Sequence, residues 1–185
     1  MREVGNYTPL LMASQAGHAQ VVATLLAAGA DANSMTATGA TALMLAARSG
    51  STETVTRLVE TGADINAKEK GFGQTALMVA AGLDRADVVK LLMSRGADWK
   101  AASAIADLKS LTTIMDDGTG RPQQQAPAAG GRDVAGVTRG YRYNELIGTQ
   151  GGLTALHFAV RQGSAAAARA LVDAGAHVNL VSPGD

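Results

Sequence analysis

The chain has 185 residues, of which 46% are hydrophobic, 17% charged and 3% aromatic; it has no cysteine, and 16 basic side chains balance 16 acidic ones. This composition supports a folded core, excludes disulfides and cysteine-bound zinc, and argues against a surface devoted to nucleic acid or anionic lipid. No run of eighteen apolar residues occurs, and residues 1–10 lack the apolar run of a signal peptide, so we expect a soluble chain without a membrane span.

A twelve-residue pattern occurs four times along the chain. The four copies read NYTPLLMASQAG, GATALMLAARSG, GQTALMVAAGLD and GLTALHFAVRQG, and each is followed by a second apolar segment. The units close with LLAAGADAN, LVETGADIN, LMSRGADWK and LVDAGAHVN. The threonines of the pattern fall at positions 8, 41, 75 and 154, so the first two spacings are 33 and 34 residues, and the third is 79, or 33 plus 46.

Each unit is predicted to contain two short helices. The threonine is a good N-cap, and Pro9 directly after Thr8 stands where a missing amide costs nothing. Apolar residues then recur at helical spacing until residue types that tolerate a left-handed backbone at a helix end, namely Gly17, Gly50, Asp84 and Gly163. A second helix follows and ends at a glycine of the closing signature: Gly29, Gly62, Gly96 or Gly175.

These residues resemble the ankyrin repeat family, whose 33-residue unit is a turn and two antiparallel helices opening with a TPLHxA-type pattern. The resemblance implies an all-α solenoid of helix-turn-helix units with hairpin-like turns, in a single domain over residues 1–185. His157 falls at the TALH position, where the family uses it structurally. The expected repeats are approximately 5–35, 36–68, 69–101 and 150–182, with one long insertion at 102–149.

The insertion is predicted to have three parts. Ile105, Leu108, Leu111 and Met115 recur at helical intervals and predict a short helix over 104–115. Residues 116–137 are rich in Gly, Pro, Gln and Ala and poor in large apolar groups, which predicts a flexible loop.

The insertion ends with GYRYNELIGTQGG, which starts at Gly140 and contains Tyr141 and Tyr143. We expect this segment to pack against the repeats near Trp99, itself a packed residue rather than a partner contact. A loop before a YNEL-type segment also resembles a subgroup of bacterial ankyrin proteins.

No catalytic constellation is visible in the sequence. It contains no GxGxxG, GxxxxGK, HExxH or GxSxG motif, and it has no thiol nucleophile. His18 falls in the first unit and His157 and His177 at opposite ends of the fourth, so we expect no cluster of histidines, and the pair Asp116 and Asp117 lacks the alternating ligand spacing of a calcium loop. The sequence therefore predicts no catalytic, cofactor-binding or metal-binding residues and no enzyme; a hydrolase built from insertion residues is the least favoured alternative.

The resemblance instead implies a protein-binding surface, because partners of ankyrin proteins usually lie along the concave face. We expect a non-catalytic protein–protein interaction module; the alternative is a scaffold segment of a larger multidomain enzyme or receptor. Lys68 and Lys70 fit a solvated face equally well, whereas Tyr, Arg and Leu are types that anchor interfaces. The transferred positions are Tyr7, Gln15, Arg48, Ser49, Lys68, Lys70, Gln74, Leu83, Arg161 and Gln162.

The sequence leaves open whether the chain is part of a longer array and which compartment it occupies. The last unit is ordinary, and the final VSPGD resembles the turn into another repeat, which favours a piece of a longer array with further ankyrin repeats at either end. The alternative is a complete small protein that tolerates exposed ends or dimerises through them. A cysteine-free chain suits the cytoplasm and the periplasm alike.

Overall fold

The computed structural model describes residues 7–107 and 149–181. Within these ranges the chain divides into two units. The larger unit comprises residues 7–104 and 152–181 and contains all the helices of the described part. The smaller one contains a short strand pair.

Eight helices are present in the described residues, two in each repeat. We call the leading helix of each repeat a first helix and the other a second helix. The first helices are α1 (Pro9–Ala16), α3 (Ala42–Ser49), α5 (Ala76–Gly82) and α7 (Ala155–Gln162). The second helices are α2 (Ala19–Ala27), α4 (Thr52–Glu60), α6 (Ala86–Ser94) and α8 (Ala165–Asp173). This arrangement confirms the predicted all-α repeat fold.

The predicted threonine caps are present at the first helices. The hydroxyl oxygens of Thr8, Thr41 and Thr75 each accept a hydrogen bond from the amide three residues further on, at 3.3, 3.3 and 3.4 Å. In the fourth repeat the Thr154 hydroxyl lies 2.8 Å from Nδ1 of His157. The histidine of the TALH segment therefore helps to fix the start of α7, in agreement with its expected structural role.

The repeats stack like on like. Each first helix contacts the first helix of the next repeat, and each second helix contacts the next second helix. Small residues allow this close approach: every residue of α3 from Ala42 to Ala47 is buried. Leu43 and Leu77 are each only 1% exposed and fill the space between repeats. Alanine and leucine thus form most of the core.

Asparagine side chains connect the first three repeats. The Asn33 side chain accepts a hydrogen bond from the Asp64 amide at 2.8 Å and donates one to the Gly62 carbonyl at 3.1 Å. Asn66 accepts one from the Asp98 amide at 2.8 Å. These residues lie in turns, and their side chains reach the next repeat.

The junction between the third and fourth repeats is built differently. Lys100 stands where the first two repeats have Asn33 and Asn66. Beside it, the half-buried ring of Trp99 lies 5.3 Å from the His177 ring, and the Lys100 ammonium lies 5.3 Å from the Trp99 ring. Ring and cation contacts therefore stand where the earlier junctions have an amide hydrogen bond.

The fourth repeat nevertheless stacks directly on the third, with α7 against α5 and α8 against α6. The Asp84 carboxylate accepts a hydrogen bond from the Ala167 amide in the first turn of α8, at 2.9 Å. Ser103 and Leu153 form two more hydrogen bonds, each of 3.0 Å. Asp84 is also the one non-glycine residue with a positive φ, 56°, in the described part. Its side chain thus stabilises the neighbouring repeat from a backbone position at which glycine is usual.

The predicted helix over 104–115 is wrong at its start. The Ala104 amide donates to the Phe72 carbonyl at 2.7 Å, so it has a partner outside any local helix. Ala106–Asp107 (β1) then pairs antiparallel with Thr149–Gln150 (β2), with Ala106 opposite Gln150. The remainder of that helix, the loop predicted at 116–137, and Tyr141 and Tyr143 lie outside the described residues.

Candidate protein-binding surface

A cleft of about 360 Å³ lies on the first-helix side of the array. It extends over three consecutive repeats, because residues at α3, α5 and α7 all contribute to its walls. The lining consists of Arg48, Gln74, Met78, Val79, Gly82, Leu83, Phe158, Arg161 and Gln162.

The floor of this cleft is apolar. Met78 and Phe158 are buried at 1% and 8% exposure, and Val79 is half-buried. Leu83, the residue that caps α5, is 45% exposed and forms an apolar part of the rim. A side chain that entered the cleft would therefore meet methionine, valine, leucine and phenylalanine surfaces.

Two arginines supply the charge of the lining. Arg48 lies in the last turn of α3 and Arg161 in the last turn of α7, where a cation also favours the helix dipole. The guanidinium carbon of Arg161 lies 5.3 Å from the centre of the Phe158 ring. Among the described residues that line the cleft there is no Asp or Glu. The ion pairs of the described residues involve Arg57, Lys90 and Arg95 instead.

Half of the sequence-predicted site residues meet in this cleft, namely Arg48, Gln74, Leu83, Arg161 and Gln162. Tyr7 and Gln15 are exposed in the first repeat and are not part of the lining.

Three further predicted residues have contacts within the array. The Ser49 hydroxyl donates to the Ala46 carbonyl at 2.8 Å, and the Lys68 ammonium donates to the Ala102 carbonyl at 2.8 Å. The backbone amide of Lys70 donates to the Thr38 carbonyl at 3.2 Å.

Family models for ankyrin repeats match residues 10–103, as three copies, and residues 151–183, as a fourth. The chain belongs to the ankyrin repeat family. Ankyrin repeats generally mediate protein–protein interaction and are typically non-enzymatic. No curated protein sequence matches this chain significantly.

The described part of the chain shows neither a metal site nor a membrane-spanning helix. Among residues 7–107 and 149–181, no group of three or more His, Cys, Asp or Glu side chains is arranged to hold a metal ion. The helices of the same ranges are all too short or too polar to cross a membrane.

The sequence did not predict Met78, Val79 and Phe158 as part of the cleft of this ankyrin array. The three occupy positions that the repeat pattern assigns to the core; Met78 and Phe158 do pack there, and Val79 is half-buried. Only Phe158 differs from its equivalents in a way that could have indicated a binding role. The equivalent residues are Met12, Leu45 and Val79, so Phe158 is the one aromatic side chain at an otherwise aliphatic position.

The second-helix side of the array presents different grooves. Two of them, of about 380 and 390 Å³, lie between α6 and α8. Both are lined by Lys90, Ala170 and Asp173, so they combine short alanine side chains with charges of both signs. They lack the large apolar floor of the cleft.

Proposed function

We propose that this ankyrin array is a non-catalytic protein-binding module whose partner docks on the first-helix side, centred on the cleft. One observation carries the proposal: two arginines without a carboxylate partner in the described part flank an apolar floor formed by Met78 and Phe158. Arginines beside a desolvated apolar pocket are typical of the residues that dominate binding energy in protein interfaces.

The mode of binding follows from how the cleft is built. Its floor residues belong to the packed core, so they are already ordered before a partner arrives. Binding then requires little further ordering beyond the exposed side chains of Arg48, Leu83 and Arg161. Specificity is set by the residues that differ from repeat to repeat, since those that repeat serve the fold.

Charge reversal tests the location of the interface. The variant Arg48→Glu/Arg161→Glu removes both cations of the cleft, and Arg57→Glu/Arg169→Glu makes the same change of net charge on second helices of the same two repeats. Each chain is used to capture proteins from the source lysate, and captured proteins are identified by mass spectrometry. We expect a partner held by the original chain and by the second-helix variant to be lost from the cleft variant.

Two results would count against the proposal. A partner that binds both double variants equally would place the interface elsewhere. An array that captures no partner in any form would favour the alternative of a scaffold segment within a larger protein. Circular dichroism melts of all three chains ensure that any loss of binding does not reflect unfolding.

A further inference from the structure

We propose that the cleft binds an acidic segment of a partner chain, in which two carboxylates flank a large apolar side chain. This inference rests on the proposed function and specifies the chemistry of its partner. The charge distribution, the arginine geometry and the apolar floor each support one part of that description.

The two helix layers differ in charge. The four first helices together contain two charged residues, Arg48 and Arg161. The four second helices contain both signs: the acidic residues are Glu53, Glu60, Asp87 and Asp173, and the basic ones are Arg57, Lys90 and Arg169. The chain as a whole is neutral. The first helices therefore contribute only positive charge to their side of the array, which favours a partner of negative charge.

A third cation reinforces the α3 end of the cleft. The Arg85 Nε atom donates to the Arg48 carbonyl at 3.3 Å, which brings a second guanidinium close to the C-terminal end of α3. Arg85 is exposed and forms no ion pair in the described part of the chain. A carboxylate that reached Arg48 would thus be attracted by two cations.

The α7 end offers an oriented cation. Arg161 lies over the Phe158 ring at 5.3 Å, and a guanidinium held against an aromatic face keeps its N–H groups available in a planar fork. That fork matches the two oxygens of a carboxylate. Between the two ends, the floor of Met78 and Phe158 accepts an apolar side chain rather than a third charge.

The helix order limits the spacing of the two acidic groups. Arg48 and Arg161 belong to first helices that lie on either side of α5. Packed helix axes are about 8 to 10 Å apart, so the two arginines are anchored about 16 to 20 Å apart. An extended peptide rises about 3.3 Å per residue. We therefore expect the two carboxylates within about six residues of each other.

Selection from a display library of random dodecapeptides tests this chemistry on the full chain. We expect enrichment of Asp and Glu around Leu, Ile, Met or Phe. One enriched peptide is then synthesised with a fluorophore and titrated by fluorescence anisotropy, together with its Glu→Gln and Asp→Asn form. We expect the neutral form to bind at least tenfold more weakly.

Matched variants locate the contact. Arg48→Gln/Arg161→Gln should weaken binding of the acidic peptide at least tenfold, whereas Arg57→Gln/Arg169→Gln, with the same loss of charge on second helices, should change it less than twofold. Raising the salt concentration should weaken binding to the original chain more than binding to the cleft variant, because exposed ion pairs are screened. Leu83→Ser reports on the apolar rim independently of charge.

The possible failures are distinguishable. If selected peptides bind in the cleft, as shown by loss with Leu83→Ser, but show no acidic enrichment, the inference is wrong and the proposed function stands. If peptides bind every variant equally, both are wrong. Absence of any enriched peptide also overturns the inference. Displacement of the peptide by oligothymidylate at lower concentration than by its own unlabelled form would assign the cleft to nucleic acid instead.

Discussion

The two helix layers of this ankyrin array share a stack but differ in how they are stabilised. The first helices α1, α3 and α5 begin at a threonine whose side chain caps them, and Thr154 contacts His157 at the start of α7. Among the second helices, only α4 begins at a residue that caps it, Ser51, and α8 receives a hydrogen bond from Asp84 of the preceding repeat.

Burial and charge follow the same division. In α3 six consecutive residues, 42–47, are buried, whereas α4 buries Thr54, Val55 and Leu58. The second helices contain charged residues of both signs, while the only charged residues of the first helices are arginines. The layer that builds the core therefore also supplies the proposed binding surface: Met78 and Phe158 belong to both, whereas the two arginines belong to the surface alone.

The largest expected effect tests the core role of the first helices. Leu77→Ala on α5 should destabilise the array by about 2 to 5 kcal/mol, because Leu77 is fully buried between repeats. Leu91→Ala on α6 removes the same atoms from a half-buried site and should cost clearly less. Urea denaturation of both variants measures the difference. Equal losses in the free energy of unfolding would show that the two helix layers contribute equally to stability.

The capping of α8 gives the next effect. Asp84→Ala removes the acceptor of the Ala167 amide. It also places alanine, which tolerates left-handed backbone less well than aspartate, at a positive φ. We therefore expect a loss of about 1 to 3 kcal/mol. Asp84→Asn keeps an acceptor and should stay close to the original chain. Amide exchange in α8 should accelerate in the alanine variant. Unchanged exchange there would mean that the second layer does not depend on this contact.

A buried hydroxyl in the first layer should be destabilising. Ser14 is fully buried, and its Oγ has no hydrogen-bond partner in the described part of the chain; the equivalent residues of the second and third repeats are Ala47 and Ala81. Ser14→Ala should therefore stabilise the array by about 1 kcal/mol. Ser49→Ala serves as the matched control, since it removes a hydroxyl that is hydrogen-bonded, and should destabilise. A melting temperature lowered by both changes would refute the assignment of Ser14.

The smallest expected effect on folding belongs to the residues proposed to bind. Arg48→Glu/Arg161→Glu should change the free energy of unfolding by less than about 1 kcal/mol, because both side chains are exposed and unpaired within the described residues. Thermal melts monitored by circular dichroism provide the measurement. A larger loss would mean that the arginines serve the stack, and would weaken the separation between core and surface.

Local signals explain why so much of the fold was predictable. The threonine caps and the helix ends at Gly17, Gly50 and Gly163 each depend on residues within one or two turns. The side-chain roles of Asn33, Asn66 and Asp84 were not predictable in the same way. Each reaches a backbone group of the next repeat, 29 to 83 residues away in the chain.

The strand pair and the cleft also depend on contacts between residues that are distant in the sequence. The apolar spacing from Ile105 onward predicted a helix, but its first residues are not helical, because the Ala104 amide and strand β1 have partners distant in sequence. Five of the ten candidate site residues line one cleft. The repeat alignment selected them because they occupy equivalent positions on the surface of successive repeats. Phe158 was missed because the alignment placed it in the core, and a residue can lie in the core and still form the floor of a cleft.

The sequence by itself determined the period, the helix pairs and the alanine- and leucine-rich core, because caps, glycine ends and apolar spacing act over a few residues. Only the tertiary structure decided that Arg48 and Arg161, 113 residues apart in the chain, line the same cleft. Stacking places the fourth repeat directly on the third, although Thr75 and Thr154, which directly precede their first helices, are 79 residues apart in the chain. A surface shared by several repeats is therefore set by which helices pack together, and no local pattern specifies that.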